Sequence, residues 1–571
     1  MKKIIPSGIF FFISLWFWCF LSPNTLHFLE TTQFFPYTWS HLRDAVVIPG
    51  GIAGYVSEFF VQFFLFALPA SIIVTIALCL LQILTWKLAC LFKPQETASL
   101  YGLSFIVPFC AWAYLCVFGN MFSGIVALAG VLFAAYLFLK KERPVWASVL
   151  SVFLVYWLCG PLAWVYLLII LLFTIIRKRK IIPALAALVT WAILPFIWHL
   201  LIQYTIKELY LGTEYFHEPQ KWPLTYWIMA ASPVFVCLLQ ALLPQIHKGK
   251  AAKLLYAGII ILVFVLGWFG MIKSCNPAFE RIFKYDKMAL NQDWDGILQK
   301  AKQIPPQSLA EATSVNLALA MKNRLLTDLF LYPQPGPTAL FPDYASGYVV
   351  TLTAGESVFR AGLINTARHY AFEEYESYPN FRVSARHMKR VAETDLISGR
   401  YTLARRFLKE LSHTLFYRKW AKTYLSDPQK VSEDKEYSRL MQYCDSTEFL
   451  YSDSSDDDKR EMLRNIVARD GRCSVPMEYL FAYDLLARDL FSLRVHLNFV
   501  DFNGDVPPLV QQAVAMFDGA FFDVAPFEKA LVSEEVRQQY SEFQTALIQG
   551  QSGNEIKKRF GKTYWYYFSL N

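Results

Sequence analysis

The sequence is poor in charge, and poorest where it is most apolar. Asp, Glu, Lys and Arg make up 18% of 571 residues while the hydrophobic set reaches 55%, too apolar a balance for a soluble protein of this length. Up to residue 272 there are only 8 acidic residues against 17 Lys and Arg, and beyond it 38 against 37, so the formal +8 comes from the apolar half. Its basic residues fall in short clusters between hydrophobic runs. That is the pattern of cytoplasmic loops, and it argues against a nucleic-acid groove, which needs a basic face on a folded surface. Also missing are a Walker loop, a dinucleotide fingerprint, a Gly-x-Ser-x-Gly elbow, an HExxH pair and paired CxxC motifs. No chemistry is therefore assigned on motif grounds, no metal is expected, and the question of a cofactor stays open. Seven of the 10 cysteines lie in or against apolar runs, where thiols behave as small apolar groups. Cys275, Cys444 and Cys473 remain, and an oxidising compartment would permit a Cys444–Cys473 disulfide.

What the sequence has in abundance is long hydrophobic runs. About 20 apolar residues span the hydrocarbon of a bilayer, and runs of that kind occur at 4–22, 59–86, 101–118, 121–139, 145–159, 161–176, 181–206, 224–246 and 254–272. The first comes after Met-Lys-Lys without a small-x-small cleavage site and reads as a retained anchor. The stretch from Val145 to Ile176 is one long helix or two short ones broken at Gly160-Pro161. Lys140, Lys141 and Arg143 precede it and Arg177 to Lys180 come after it, so keeping both clusters on the cytoplasmic side requires an even number of crossings. The expectation is about nine spans, with the N-terminus inside, the C-terminal region outside, and the bilayer of a cell (inner) membrane as the setting. On that count the inside segments carry 14 Lys and Arg, and the outside loops carry Arg43, Lys207 and Lys221 with 6 acids.

Two outside segments are rich in polar groups. Residues 23–57 hold Glu30, His41, Arg43 and Asp44 before Pro49-Gly50-Gly51, and residues 207–223 hold Glu214, His217 and Glu218. The last three would share one helical face, but with no metal motif around them they read as a solvated loop. From Gly54 to Phe66 a helix is expected with Glu58 and Gln62 on one face, and a polar stripe entering a membrane points at a cavity or at neighbouring helices.

Beyond Cys275 the apolar spacing is helical and no strand alternation persists, which makes residues 274–571 a soluble all-α domain after a transmembrane domain over 1–273. Gly362–Tyr375 aligns with Gly399–Ser412, with Ala367-Arg368 and Ala404-Arg405 in register 37 residues apart, and a poorer copy starts at Trp294. This looks like half of a tetratricopeptide-type repeat. The run Asp453, Asp456, Asp457 and Asp458 lacks calcium-loop spacing and is expected to cap a helix near Lys459.

Three stretches carry a resemblance over nearly the whole chain: Pro49-Gly50-Gly51 to Gln62-Phe63-Phe64, Gln292-Asp293-Trp294, and Ala392 to Trp420. They are similar to those of uncharacterised Bacteroidota multi-pass membrane proteins of a domain-of-unknown-function class with a TPR-like C-terminal half. More distantly the layout resembles GT-C membrane glycosyltransferases, which use an acidic residue in the first outside loop. That resemblance implies Asp44, Glu30 and Glu58 as candidate catalytic acids on a lipid-phosphate-linked substrate, with Arg43, Lys207 and Lys221 holding the phosphate. GT-C enzymes usually place paired acids shortly after the first span, whereas here Glu30 stands there without a sequence neighbour. The alternative is a non-catalytic scaffold whose helical repeats bind a protein partner.

Overall fold

Apolar runs become helices because hydrocarbon offers the backbone no other hydrogen-bond partner. The computed structural model describes residues 4–92, 98–212, 223–243, 250–343, 348–376, 384–444, 456–471, 474–502, 505–517 and 525–570. Among these the regular structure is helical and no strand occurs. Among the described residues, seven helical stretches are long and apolar enough to cross a membrane: Ile4–Leu21, Ala67–Phe92, Phe122–Leu139, Val145–Ile176, Ile182–Leu201, Leu224–Leu242 and Leu254–Ser274. The chain forms two compact units. The first is Met1–Phe283 with Tyr378–Ala385 and His413–Arg418; the second is Lys284–Ser377, Arg386–Ser412 and Lys419–Asn571.

In the first unit we label α1 (Ile4–Trp16), α2 (Pro23–Thr31), α3 (Trp39–Val47), α4 (Gly51–Val61) and α5 (Ala67–Phe92). The expected run at 59–86 divides differently from its sequence reading. Gln62 Nε2 donates to the Phe59 carbonyl at 2.7 Å, Gln62–Leu65 tightens into a 3-10 turn, and Phe66 is extended, so α4 stops and the long helix begins only at Ala67. Residues 23–57 hold α2, α3 and the start of α4 rather than a plain loop. The stretch from Val145 to Ile176 is broken into α6 (Val145–Cys159) and α7 (Ala163–Ile176) at Gly160, whose φ is +68°. Arg179 Nε lies 3.8 Å from Glu142 Oε1, so the two ends of this stretch meet. A continuous helix would hold them about 50 Å apart.

The break also positions the turn between α3 and α4. Gly50 has φ +81°, and a Cβ on it would sit 2.9 Å from Gly160 Cα. Only two glycines allow this backbone crossing. Around it Gly50 N–H donates to Trp157 O at 2.9 Å, Trp157 Nε1 to Val46 O at 2.7 Å, and Trp198 Nε1 to Val47 O at 3.1 Å. Helix α2 is held at its N-terminus. Glu280, just past the last apolar helix, accepts Asn24 N–H and Nδ2 on one oxygen and Thr25 N–H and Oγ1 on the other, at 2.7–3.0 Å. A carboxylate on the open amides of a helix N-terminus satisfies both hydrogen bonding and dipole.

In the second unit one turn recurs. At Gln292, Asn323, Gly362, Gly399, Arg488 and Gly550 the backbone is left-handed, with φ from +54° to +90°. Each of these N–H groups bonds the carbonyl three residues back, and each next N–H bonds the carbonyl five back, at 2.7–3.2 Å. This is the Schellman closure of a helix C-terminus. At the first five the next helix begins two residues later, which makes a series of helix–turn–helix pairs. Ala367 and Ala404 are both fully buried in the second helices of their pairs. The helix expected near Lys459 starts at Asp456, while Asp453 and Cys473 lie outside the described residues.

The pairs are tied by buried charge. Glu356 bonds Arg360 at 2.8 Å and also Arg390; Arg360 reaches Glu436 at 3.0 Å, and Arg386 grips Asp286 through two bonds of 2.7 Å. Burial alone would raise the Glu356 pKa, but Arg390 and Arg360 outweigh it and hold it at about 2. Glu478 is the opposite case. Burial pushes it up to about 8, opposed only by the Leu325 N–H it accepts at 3.0 Å.

These contacts can be tested at two places. Gly362→Ala and Gly399→Ala both meet the left-handed penalty of about 1–2 kcal/mol. Only at Gly362 would the new Cβ also lie 2.6 Å from Tyr443 Cδ2, whereas at Gly399 it meets nothing within 4 Å. Urea unfolding of the purified chain should rank Gly362→Ala as the less stable by a further ~1–3 kcal/mol; equal losses would contradict the packing. For Glu478, a folded pKa above the ordinary 4.5 means a contribution fully present below pH 4.5 and lost as pH rises through about 8. Glu478→Gln keeps an acceptor for Leu325 and removes the titration. Its stability should stay flatter than the parent's between those pH values, measured by denaturant midpoints across the range.

Candidate functional site

Glu30 stands in the last turn of α2, the helix that Glu280 fixes from the other end. Glu58 projects from α4, one turn before Gln62, as its spacing predicted. Both side chains line one small cavity of about 20 Å³, together with Gln33, Phe35, Gln62, Ala385 and residues 414–417. That volume admits about one water-sized group. The segment His413–Arg418, far away in sequence, belongs to this unit: Tyr37 N–H donates to the His413 carbonyl at 2.8 Å, and Phe416 packs edge-on against Phe63 and Phe66. It brings Tyr417, whose hydroxyl is 3.4 Å from Glu30 Oε1.

His41 completes the cluster. Its Nε2 is 2.9 Å from Glu58 Oε2, and its ring packs between Phe35 and Tyr55 with centroids 5.5 and 5.3 Å away. The Thr38 hydroxyl caps α3 by accepting the His41 N–H, which orients the residue's backbone as well. Gln62 is equally fixed, donating to the Tyr37 hydroxyl at 3.0 Å. Gln33 is not. It is 6% exposed, and neither side-chain amide atom has a partner among the described residues. A buried carboxamide left this way is costly and calls for a guest that both donates and accepts.

A family described as of unknown function, DUF6057, matches the chain over residues 1–571. The chain belongs to that family. No curated protein and no solved structure matches it.

The candidate residues read from sequence separate in space. Glu30 and Glu58 share the cavity. Asp44, the acid nearest Pro49, does not: it is 66% exposed and pairs with Arg43 at 3.3 Å, itself 71% exposed. Lys207 is on the surface, and among the described residues no Lys or Arg lines the cavity. Lys221, with Glu214, His217 and Glu218, lies outside the described residues. Among those described, no group of three His, Cys, Asp or Glu is arranged to hold a metal ion. What the cluster offers is acid–base chemistry: an imidazole bonded to one carboxylate, a second carboxylate bonded to a phenol, and an amide facing the same space. Gln33 and Tyr417 went unread in the sequence. Gln33 is three residues from Glu30, a spacing that could have flagged it, whereas nothing local marks Tyr417.

Proposed function

We propose that the chain is a multi-pass membrane transferase of GT-C type, acting on a lipid-phosphate-linked donor at the outer face of a cell membrane. Glu58, paired with His41, serves as general base, and Glu30 is the second acid. The observation that carries this reading is the meeting of Glu30, Glu58 and the unpartnered Gln33 on one cavity. The partner that Glu30 lacks in sequence is supplied in space by Glu58. Nine crossings result if the seven long helices are taken with the stretch from Val145 to Ile176 counted as a hairpin and the shorter Tyr101–Cys116 helix included; the Glu142–Arg179 contact supports the hairpin. The Lys and Arg bias then puts the N-terminus inside and Asn571 outside.

A second reading is favoured by the recurring left-handed turns: a TPR-like second unit that captures a protein partner while the spans serve as an anchor. The two readings separate in one complementation experiment on a deletion strain. Glu58→Gln and Glu30→Gln should insert normally and lose function by about 10²- to 10⁴-fold, with Asp44→Asn close to wild type. Rescue by both glutamine variants, with loss only on charge reversal over the second unit, would leave the scaffold reading standing. The topology has its own check. Alkaline phosphatase fused after Asn571 should be active, and an inactive fusion alongside an active cytoplasmic reporter at the same point would refute the orientation.

A further inference from the structure

The second unit contains a groove of about 710 Å³ that the proposed transferase chemistry does not use. Its size is that of a small-molecule site. Three prolines, Pro306, Pro333 and Pro335, lie in its walls, and their fixed φ angles make those walls stiff. Phe330 and Tyr567 stack at 4.7 Å between centroids and back the groove with a fixed aromatic surface. Tyr566 is partly exposed beside them, and the mouth carries Lys557 and Lys562, both exposed.

The charge of this lining is one-sided. Among the described residues it contains two lysines and no carboxylate. Neither Lys557 nor Lys562 has an ion-pair partner among the described residues, although other basic residues of the same unit, such as Arg537 and Arg559, are paired. Two uncompensated ammonium groups at the rim of a stiff aromatic groove attract an anion and place the body of the ligand against ring faces. The ligand must then be small, negatively charged and flat on one side, with a group that can hydrogen-bond to a phenol such as that of Tyr566.

We propose that this groove binds a sugar carrying a carboxylate or phosphate group, with Lys557 and Lys562 on the anion and the Tyr566 ring against the pyranose face. This site goes beyond the transferase reading and stands on different residues, so either can fail without the other.

Isothermal titration of the whole purified chain in detergent tests it with three probes: tetragalacturonate for a carboxylated sugar, glucose 1-phosphate for a phosphorylated one, and neutral maltotetraose. At least one anionic probe should bind at least about tenfold more tightly than maltotetraose, and its binding should weaken as NaCl rises from about 50 to about 500 mM. Whichever anionic probe binds names the source of the charge. The double variant Lys557→Gln/Lys562→Gln should lose at least about tenfold in affinity, and Tyr566→Leu should weaken binding with an unchanged circular-dichroism spectrum. Binding of neither anionic sugar, equal binding of maltotetraose, or wild-type affinity in the lysine double variant would overturn the proposal. So would tighter binding of ATP than of either sugar, since that would make the groove a nucleotide site.

Discussion

Buried backbone amides and carbonyls have no water to turn to, so every departure from a continuous helix inside the protein must be closed by another part of it. The first unit shows how this constraint shapes the rest. Where the chain turns between α3 and α4 it meets the break between α6 and α7. The two glycines let the backbones touch, and Gly50 N–H, Val46 O and Val47 O all find partners there. Helix α4 is thereby fixed in place, and Glu58 with it. At the opposite end of the same segment Glu280 closes the amides of α2 and so fixes Glu30. The two carboxylates of the cavity are held by structures whose first task is to satisfy the backbone.

The contents of the cavity depend on that framework. Its acids are not neighbours in sequence and would repel if left alone in a region of low dielectric. Each has been given a hydrogen-bonding companion: His41 for Glu58, and the Tyr417 hydroxyl for Glu30. Gln33 is the exception that sets the cluster apart from a purely structural one. Glu30, His41, Glu58 and Gln62 are all bonded at 2.7–3.4 Å, whereas this amide is buried without a partner among the described residues.

Much of the architecture could be read from the sequence, because period and hydropathy report directly on what a segment must bury. The all-helical character, the apolar runs, the break at Gly160 and the pair of turns at Gly362 and Gly399 were all legible. The turns at Asn323 and Arg488 were not. Asn323 and Arg488 take the left-handed conformation without being glycine, so the punctuation that marks such a turn is missing from the sequence. The site was legible in part. Glu58 and Gln62 were placed on one face by their spacing, but Asp44 drew attention by its nearness to Pro49-Gly50-Gly51, and helix α3 instead leaves it in solvent beside Arg43. Tyr417 is 387 residues from Glu30. Only the fold of the first unit brings residues 413–418 back to α2 and α4, and no local pattern encodes that return.

The second unit meets a different constraint. Its helices are short and cannot bury enough apolar surface singly. Burying one face of each, as at Ala367 and Ala404, encloses charged side chains between helices. Glu356, Arg360, Arg390 and Glu436 are therefore paired with one another. Such a network adds little net stability over apolar packing, yet removing one member strands a buried charge. It penalises any slip of one helix pair against the next, because a shift of one turn would separate arginines from carboxylates. Register between pairs is thus set by charge, while the turns within pairs are set by backbone hydrogen bonds. The groove lined by Lys557 and Lys562 stands apart from both devices, since among the described residues its cations have no ion-pair partner while Arg494, Arg537 and Arg559 of the same unit are matched to acids.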